Sequence, residues 1–237
     1  MRDEKEKKDS LSDFQERIGV SFNDINLLKQ AFTHRSYINE NKKSDLKHNE
    51  RLEFLGDAVL ELVVTDHLYR KFPSKPEGEL TALRASLVNT VSLRKVATDL
   101  SINEELYLSR GESKDIGRAR DYILANAVEA IIGAVYLDKG YEEAKNFVDR
   151  FIFSRIEEII REKLWVDAKS FFQEKSQEIE SETPIYKVLE EKGPDHDKLF
   201  TSGVYLKDEL IAKGQGRSKQ EAEQKAAEEA LLKKDWK

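Results

Sequence analysis

Asn49-Glu50-Arg51-Leu52-Glu53-Phe54-Leu55-Gly56-Asp57-Ala58-Val59-Leu60 is the stretch on which the reading of this chain turns. Glu50, Glu53 and Asp57 stand three and four residues apart, so on an α-helix they share one face. Their side chains then fall within about 60° of one another. Leu52, Leu55, Val59 and Leu62 form an apolar stripe beside them. Carboxylates at the edge of a core repel one another and lose hydration unless something positive faces them. Hard divalent cations such as Mg²⁺ suit oxygen ligands of this kind. The plain alternative is a solvated acidic stripe. Gly56 favours the first reading, because inside a helix it sacrifices roughly 1 kcal/mol against alanine and so points to a close backbone approach beside the acidic face.

A second helix answers this one. Asp121 to Tyr136 is nearly apolar on several sides, as a central helix is, and Asn126 and Glu129 are its polar exceptions, three apart and on one face. Gly133 signals close contact there as Gly56 does in the first. The expectation is that the two helices cross and bring Glu50, Glu53, Asp57, Asn126 and Glu129 together.

The chain has 237 residues, 36% charged and 39% hydrophobic, enough for one large domain or two modest ones. No apolar run approaches the roughly 18 residues that span a bilayer, and the charged N-terminus lacks the apolar core of a secretory signal. There is no cysteine, which excludes disulfides and thiolate metal sites. A cytoplasmic protein with no membrane partner is the simplest expectation. The net charge is −6, and residues 166–237 carry 13 Lys and Arg against 16 Asp and Glu, so any nucleic-acid contact must come from a local patch. The four histidines, at 34, 48, 67 and 196, are scattered, which disfavours a histidine-based mechanism.

Outward from the acidic helix, residues 1–9 read as a frayed tail, with Ser10 or Ser12 capping a first helix that ends at Gly19. Asn23 or Asp24 caps a second. His34 and Arg35 are placed to reach phosphate oxygens or, equally, to finish a helix end. The acidic helix is expected from about His48 to Tyr69, before Pro73. Pro76-Glu77-Gly78 opens a segment in which Leu80, Leu83, Leu87, Val91 and Leu93 keep helical spacing. A loop, Ser109-Arg110-Gly111-Glu112-Ser113, precedes the central helix, and a last long helix is expected from Tyr141 to Lys163.

After Trp165 the pattern changes. A helix carrying Ala168, Phe171, Phe172, Ser176 and Ile179 stops at Thr183-Pro184. Ile185 to Leu189 alternates as a strand, Gly193 to His196 reads as a turn, and Leu199–Leu206 with Glu209–Ala212 reads as a hairpin turning at Lys207-Asp208. Arg217-Ser218-Lys219 opens a final helix bearing Ala222, Ala226, Ala230 and Leu231. The order is α-β-β-β-α. The start of that last helix offers free backbone N–H groups together with Arg217, Ser218, Lys219 and the nearby Lys213, an arrangement suited to phosphate. Gln173, Glu174 and His196 supply polar groups for 2′-hydroxyls across a shallow minor groove.

This order, with Gly193-Pro-Asp-His196 and Arg217-Ser-Lys-Gln-Glu-Ala222, resembles a double-stranded RNA-binding domain over residues 167–234. Residues 10–163 resemble the ribonuclease III catalytic domain, on Thr33-His-Arg-Ser36, His48 to Leu60, Glu77-Gly78, Leu87-Val88 and Ile123 to Leu137. The fold class implied is an all-α N-terminal domain followed by a small α+β domain. The resemblance implies a homodimeric, Mg²⁺-dependent endonuclease, with Mn²⁺ as a substitute. Its double-stranded RNA products carry 5′-phosphates, 3′-hydroxyls and short 3′ overhangs, and its task is processing of rRNA and mRNA precursors. Carried over by position, Glu53, Asp57 and Glu129 match metal-binding carboxylates, with Asp57 and Glu129 catalytic, and Asn126 occupies a further ligand position. Glu50 and Glu77 match supporting acidic positions of the cleft. Phe54 matches an aromatic knob that packs into the partner protomer; as a plain reading it is a residue of the chain's own core. Carboxylate-held Mg²⁺ can activate water, neutralise developing charge and stabilise the leaving oxygen.

One position departs from the pattern: the family commonly has Asp where this chain has Asn126. An amide oxygen can coordinate a hard cation but brings no charge. The expectation is retained, weakened cleavage. The alternatives are a non-catalytic double-stranded RNA-binding dimer and, more remotely, a helical scaffold for basic proteins.

Overall fold

The computed structural model describes residues 4–161, 168–194 and 198–236. They divide into two compact units, Met1–Trp165 and Val166–Lys237.

The first unit is helical: α1 (Glu4–Ile18), α2 (Ile25–Ala31), α3 (Arg35–Glu40), α4 (Glu50–Lys71), α5 (Glu77–Val88), α6 (Thr90–Asp99), α7 (Ile102–Glu105), α8 (Arg118–Lys139), α9 (Tyr141–Phe151) and α10 (Ile156–Arg161). At its centre α4 crosses α8 at backbone distance. A Cβ on Gly56 would stand 1.7 Å from the Glu129 carbonyl oxygen, and one on Gly133 would stand 2.2 Å from the Leu52 carbonyl oxygen. Each helix thus offers a glycine to the other's main chain, and the loss of helix propensity at both positions is offset by the packing this contact permits. Leu52, Val59, Leu60, Val63 and Val64 of α4 close the core against Ile131, Ile132 and Val135 of α8.

Local caps set the entries. Asp24 caps α2 by accepting from the Asn26 N–H at 3.0 Å, and Asp138 at the end of α8 accepts from the backbone N–H groups of Asn23 and Asp24 at 2.7 and 2.8 Å. Asn49, before α4, donates through its side chain to the Ala31 carbonyl at 3.2 Å and through its backbone to the Thr33 carbonyl at 2.9 Å, which pins the start of the acidic helix to the end of α2. Gly140, at φ +83°, ends α8 and turns the chain into α9.

Several expectations are corrected. The first helix begins at Glu4, not at Ser10 or Ser12: Ser10 lies within it and donates to Glu105, which also pairs with Arg17 at 3.6 Å. The run from Leu80 to Leu93 is two helices, because Asn89 takes an extended conformation and caps α6, accepting from the Ser92 N–H at 2.9 Å. The helix beginning at Tyr141 breaks after Phe151 into a 3₁₀ turn before α10; its expected last residues, 162 and 163, lie outside the described residues. Leu62, assigned to the buried stripe of α4, is 57% exposed.

The second unit follows the order α-β-β-β-α: α11 (Ala168–Glu180), β1 (Ile185–Lys192), β2 (Leu199–Leu206), β3 (Glu209–Gly216) and α12 (Lys219–Lys234). The sheet is antiparallel in the order β1-β2-β3, with Lys207 in the left-handed region at the β2–β3 turn. Ala168, Phe172, Val204, Leu206, Ile211, Ala226, Ala227 and Ala230 form its core, and Trp236 stacks on Phe172 at 5.2 Å. The third strand runs on to Gly216 rather than stopping near Ala212. Gly214 and Gly216 lie under α12, where a Cβ would meet Ala226 N at 2.2 Å and Ala222 N at 2.6 Å. Ile179 does not join this core; it is 55% exposed. Among the described residues no helix is long and apolar enough to cross a membrane.

Gly56→Ala places a methyl group inside the backbone of α8. Chemical denaturation should show the first unit destabilised by about 3 kcal/mol or more; an unchanged midpoint would show that the two helices can part without cost.

Candidate metal centre and nucleic-acid interface

The α4–α8 crossing brings the acidic faces of the two helices together. Glu53 is the residue one turn before Gly56, and Glu129 is the residue whose carbonyl Gly56 touches. Burial, then the charges of Asp57 and Glu53, push the Glu129 carboxyl up to about 8. The Glu53 carboxyl is also raised, first by burial and then by Glu50 and Asp57, while a hydrogen bond from the Asn126 side chain works against the rise. The crossing therefore gathers Glu53, Asp57, Asn126 and Glu129 into one electrostatically coupled group. Among the described residues no ion pair reaches Glu53, Asp57 or Glu129, and no three His, Cys, Asp or Glu side chains converge into a ready ligand shell.

Glu50 belongs to the edge of this group. It lies 3.5 Å from Arg35 and 3.6 Å from His48, and its charge also acts on Glu53 and His34. Glu77 is not brought to the cluster within the chain: it is exposed at the first turn of α5, and its carboxylate accepts from the Thr81 hydroxyl at 2.8 Å. Phe54 is 80% exposed on α4, which removes the reading of it as a residue of the chain's own core.

His34 resolves as a helix cap. Its Nδ1 lies 2.8 Å from the Ser36 hydroxyl and accepts from the Ser36 N–H at 3.3 Å at the start of α3. Burial holds its pKa below the usual imidazole value, against the pull of Glu112 and Glu50. Ser36 accepts from the Ser109 N–H at 3.1 Å, and Ser109 in turn accepts from the Glu112 N–H at 3.2 Å. This chain of bonds brings Glu112 close enough to His34 to act on it alongside Glu50. Sequence reasoning passed over Glu112 as a loop residue, since helical periodicity says nothing about a loop that tertiary contacts fold back.

In the second unit Gln173 and Glu174 lie exposed on α11, lining a shallow groove with Ser170, Gln177 and Glu178. At the other helix, Ser218 caps α12 by accepting from the Glu221 N–H at 3.1 Å, and Glu221 accepts from the Arg217 N–H at 2.8 Å, a reciprocal capping pair. Because Gly214 and Gly216 press against α12, exposed Lys213 on β3 falls near Arg217 and Lys219. Lys219 lies 3.2 Å from Glu191 and 5.8 Å from the centre of the Phe200 ring. His196 lies outside the described residues.

Comparison with known proteins agrees with both units. A family model described as Ribonuclease-III-like matches residues 24–156, and one described as Double-stranded RNA binding motif matches residues 168–234. Curated relatives named Ribonuclease 3 include those of Pelotomaculum thermopropionicum, 46% identical over 96% of this chain and 95% of that protein, and Bacillus licheniformis, 47% identical over 96% and 91%. Among solved structures, the nuclease domain of ribonuclease III from Campylobacter jejuni superposes with a TM-score of 0.56 at 41% identity, covering 61% of this chain and 96% of that one; its description concerns flexibility in a region involved in dimer formation.

The raised Glu129 carboxyl makes stability depend on pH in a defined direction. A carboxyl lifted in the folded state stabilises the fold fully below its unfolded pKa of 4.5, and that contribution is lost as pH rises through about 8. Thermal melts in EDTA between those values should show wild type losing roughly 2 kcal/mol relative to Glu129→Gln, after allowance for solvent screening. Parallel curves for the two proteins would show that Glu129 ionises without penalty.

Proposed function

This chain belongs to the ribonuclease III family and is a double-stranded RNA endoribonuclease, and from that premise we propose that it acts as a Mg²⁺-dependent homodimer. Its cleavage leaves 5′-phosphate and 3′-hydroxyl ends with short 3′ overhangs, in the processing of rRNA and mRNA precursors in the cytoplasm. The observation that carries the reading is Glu129, a half-buried carboxyl pushed to about 8 beside Asp57 and Glu53. Such a set of hard oxygen donors, lacking a described cationic partner, has the chemistry that a divalent ion fits.

Glu53, Asp57 and Glu129 would hold the ion, with Asn126 on the same face; Mn²⁺, which accepts the same oxygen ligands, would substitute. Bound there, Mg²⁺ supplies charge neutralisation and an activated water for phosphodiester hydrolysis. The chain's own groups do the rest. Asp57 and Glu129 orient that water and accept its proton. Glu50, tied to Arg35 and His48, keeps a second line of negative charge at the rim, and Glu77 serves the cleft shared between protomers. Lys213, Arg217, Ser218 and Lys219 grip phosphates, while Gln173, Glu174 and His196 meet the minor groove; together they read A-form shape with little sequence information. Phe54 supports the homodimer, because an aromatic side chain this exposed next to the acidic face gains most by burial in a second copy.

The deciding assay incubates a perfect RNA duplex with the full chain in Mg²⁺ or EDTA. Cutting should require the metal, and Glu129→Gln should lower it about 100-fold or more. Duplex that is bound but uncut, and cut once Asn126→Asp is introduced, would favour the non-catalytic RNA-binding dimer, whose support is the missing carboxylate at Asn126.

Two further measurements address the partners. Lys219→Ala should weaken duplex binding about fivefold at low salt and reduce the salt dependence by roughly one counterion, read by fluorescence anisotropy across a salt series. Phe54→Ala should shift sedimentation toward the monomer; an unchanged dimer would remove Phe54 from the interface.

A further inference from the structure

Asn126 stands at the helix crossing, in a site that already contains three carboxylates, and its side chain hydrogen-bonds that of Glu53. An ionised carboxylate has no proton to give, so in this bond the amide nitrogen of Asn126 donates and Glu53 accepts. The crossing leaves the pair little room to part. Gly56, one turn after Glu53, lies against the backbone of Glu129, one turn after Asn126, and Gly133 lies against Leu52 on the other side. Arg35 and His48, the basic residues closest to this end of α4, pair with Glu50.

We infer that Asn126 is a clamp on Glu53 rather than a ligand of the ion. Its amide joins the acidic faces of α4 and α8 and holds the metal-free site together with three negative charges instead of four. This rests on the proposed metal site and assigns a positioning role within it. An ionised Asp at 126 could not donate, and it would set a fourth charge beside Glu53, so that α4 and α8 would meet comfortably only with a cation between them. In this chain the amide supplies part of that compensation permanently. The site is ordered before the ion arrives, and the ion then enters a less negative pocket and binds more weakly. Asn126 is therefore a working part of this site and not the mark of a lost one.

Thermal melting of the full chain, in EDTA and across a Mg²⁺ titration, separates clamp from ligand. Asn126→Ala removes the donor without adding charge. As a clamp, its loss should lower the metal-free melting temperature by roughly 3 °C, and Mg²⁺ should restore it with a midpoint within about threefold of wild type. Asn126→Asp should melt lower still in EDTA, gain more from Mg²⁺, and show a midpoint about tenfold lower than wild type. In a Glu53→Ala background, Asn126→Ala should change metal-free melting no further, since the bond it removes is already absent. Unchanged metal-free melting of Asn126→Ala with a Mg²⁺ midpoint raised tenfold or more would make Asn126 a ligand and overturn the clamp. Additive effects of the two alanine substitutions in EDTA would overturn it equally. Should Mg²⁺ shift the melting of no variant, the metal site itself fails, and the additivity measured in EDTA still decides whether the clamp exists.

Discussion

The contact of α4 with α8 through Gly56 and Gly133 is the constraint on which the rest of the first unit depends. A side chain at either position would occupy the space of a carbonyl oxygen of the opposite helix. Helices carrying larger residues at their contact keep their axes 8–10 Å apart; here the glycines bring one main chain directly against the other. The carboxylates next to those glycines are carried inward with the backbone. Glu53 and Glu129 flank the tightest point of the fold, and the site is an outcome of the packing rather than an addition to it.

That closeness has an electrostatic cost. The apolar contacts of Leu52, Val59 and Leu60 with the α8 core hold together a pair of helices whose acidic faces repel. The repulsion surfaces in the raised carboxyls of Glu129 and Glu53. A protein optimised for stability alone would place a neutral or basic residue there. Keeping the carboxylates gives a site that binds cations in proportion to the strain it carries without them, and Asn126 softens that strain through one amide. The surrounding bonds act on position rather than charge: Asn49 anchors the start of α4 to α2, and His34, Ser36 and Ser109 bring the loop of Glu112 to the same rim.

The second unit uses the same device for another purpose. Gly214 and Gly216 let β3 press against the first turns of α12, and the result is a compact basic edge of Lys213, Arg217 and Lys219. In a chain with net charge −6, phosphate binding depends on this local concentration of charge and on the free N–H groups at a helix start, since the long-range field is repulsive to RNA. The helix is also self-capped by Ser218 and Glu221, so its N-terminus is ordered without a ligand.

Much of this was legible in the amino-acid sequence, because the signals are local. The spacing of Glu50, Glu53 and Asp57, the pairing of Asn126 with Glu129, and a glycine within each helix state which faces meet; helical periodicity sets the face, and a glycine inside a helix marks where another backbone comes close. The α-β-β-β-α order was equally open, since strand alternation, Pro184 and the turn residues mark every boundary. Other features are properties of the assembled molecule. Whether Leu80 to Leu93 forms one helix or two depends on Asn89, which has hydrogen bonds to make in either case. That Leu62 faces out, and that Phe54 is left without a place in the core, follows from where α8 lies and not from the α4 pattern. Glu112 reaches the rim through bonds to residues distant in sequence. The amide–carboxylate bond between Asn126 and Glu53 exists because two glycines bring separate helices into contact, and a linear pattern carries the residue types but not the distance between them.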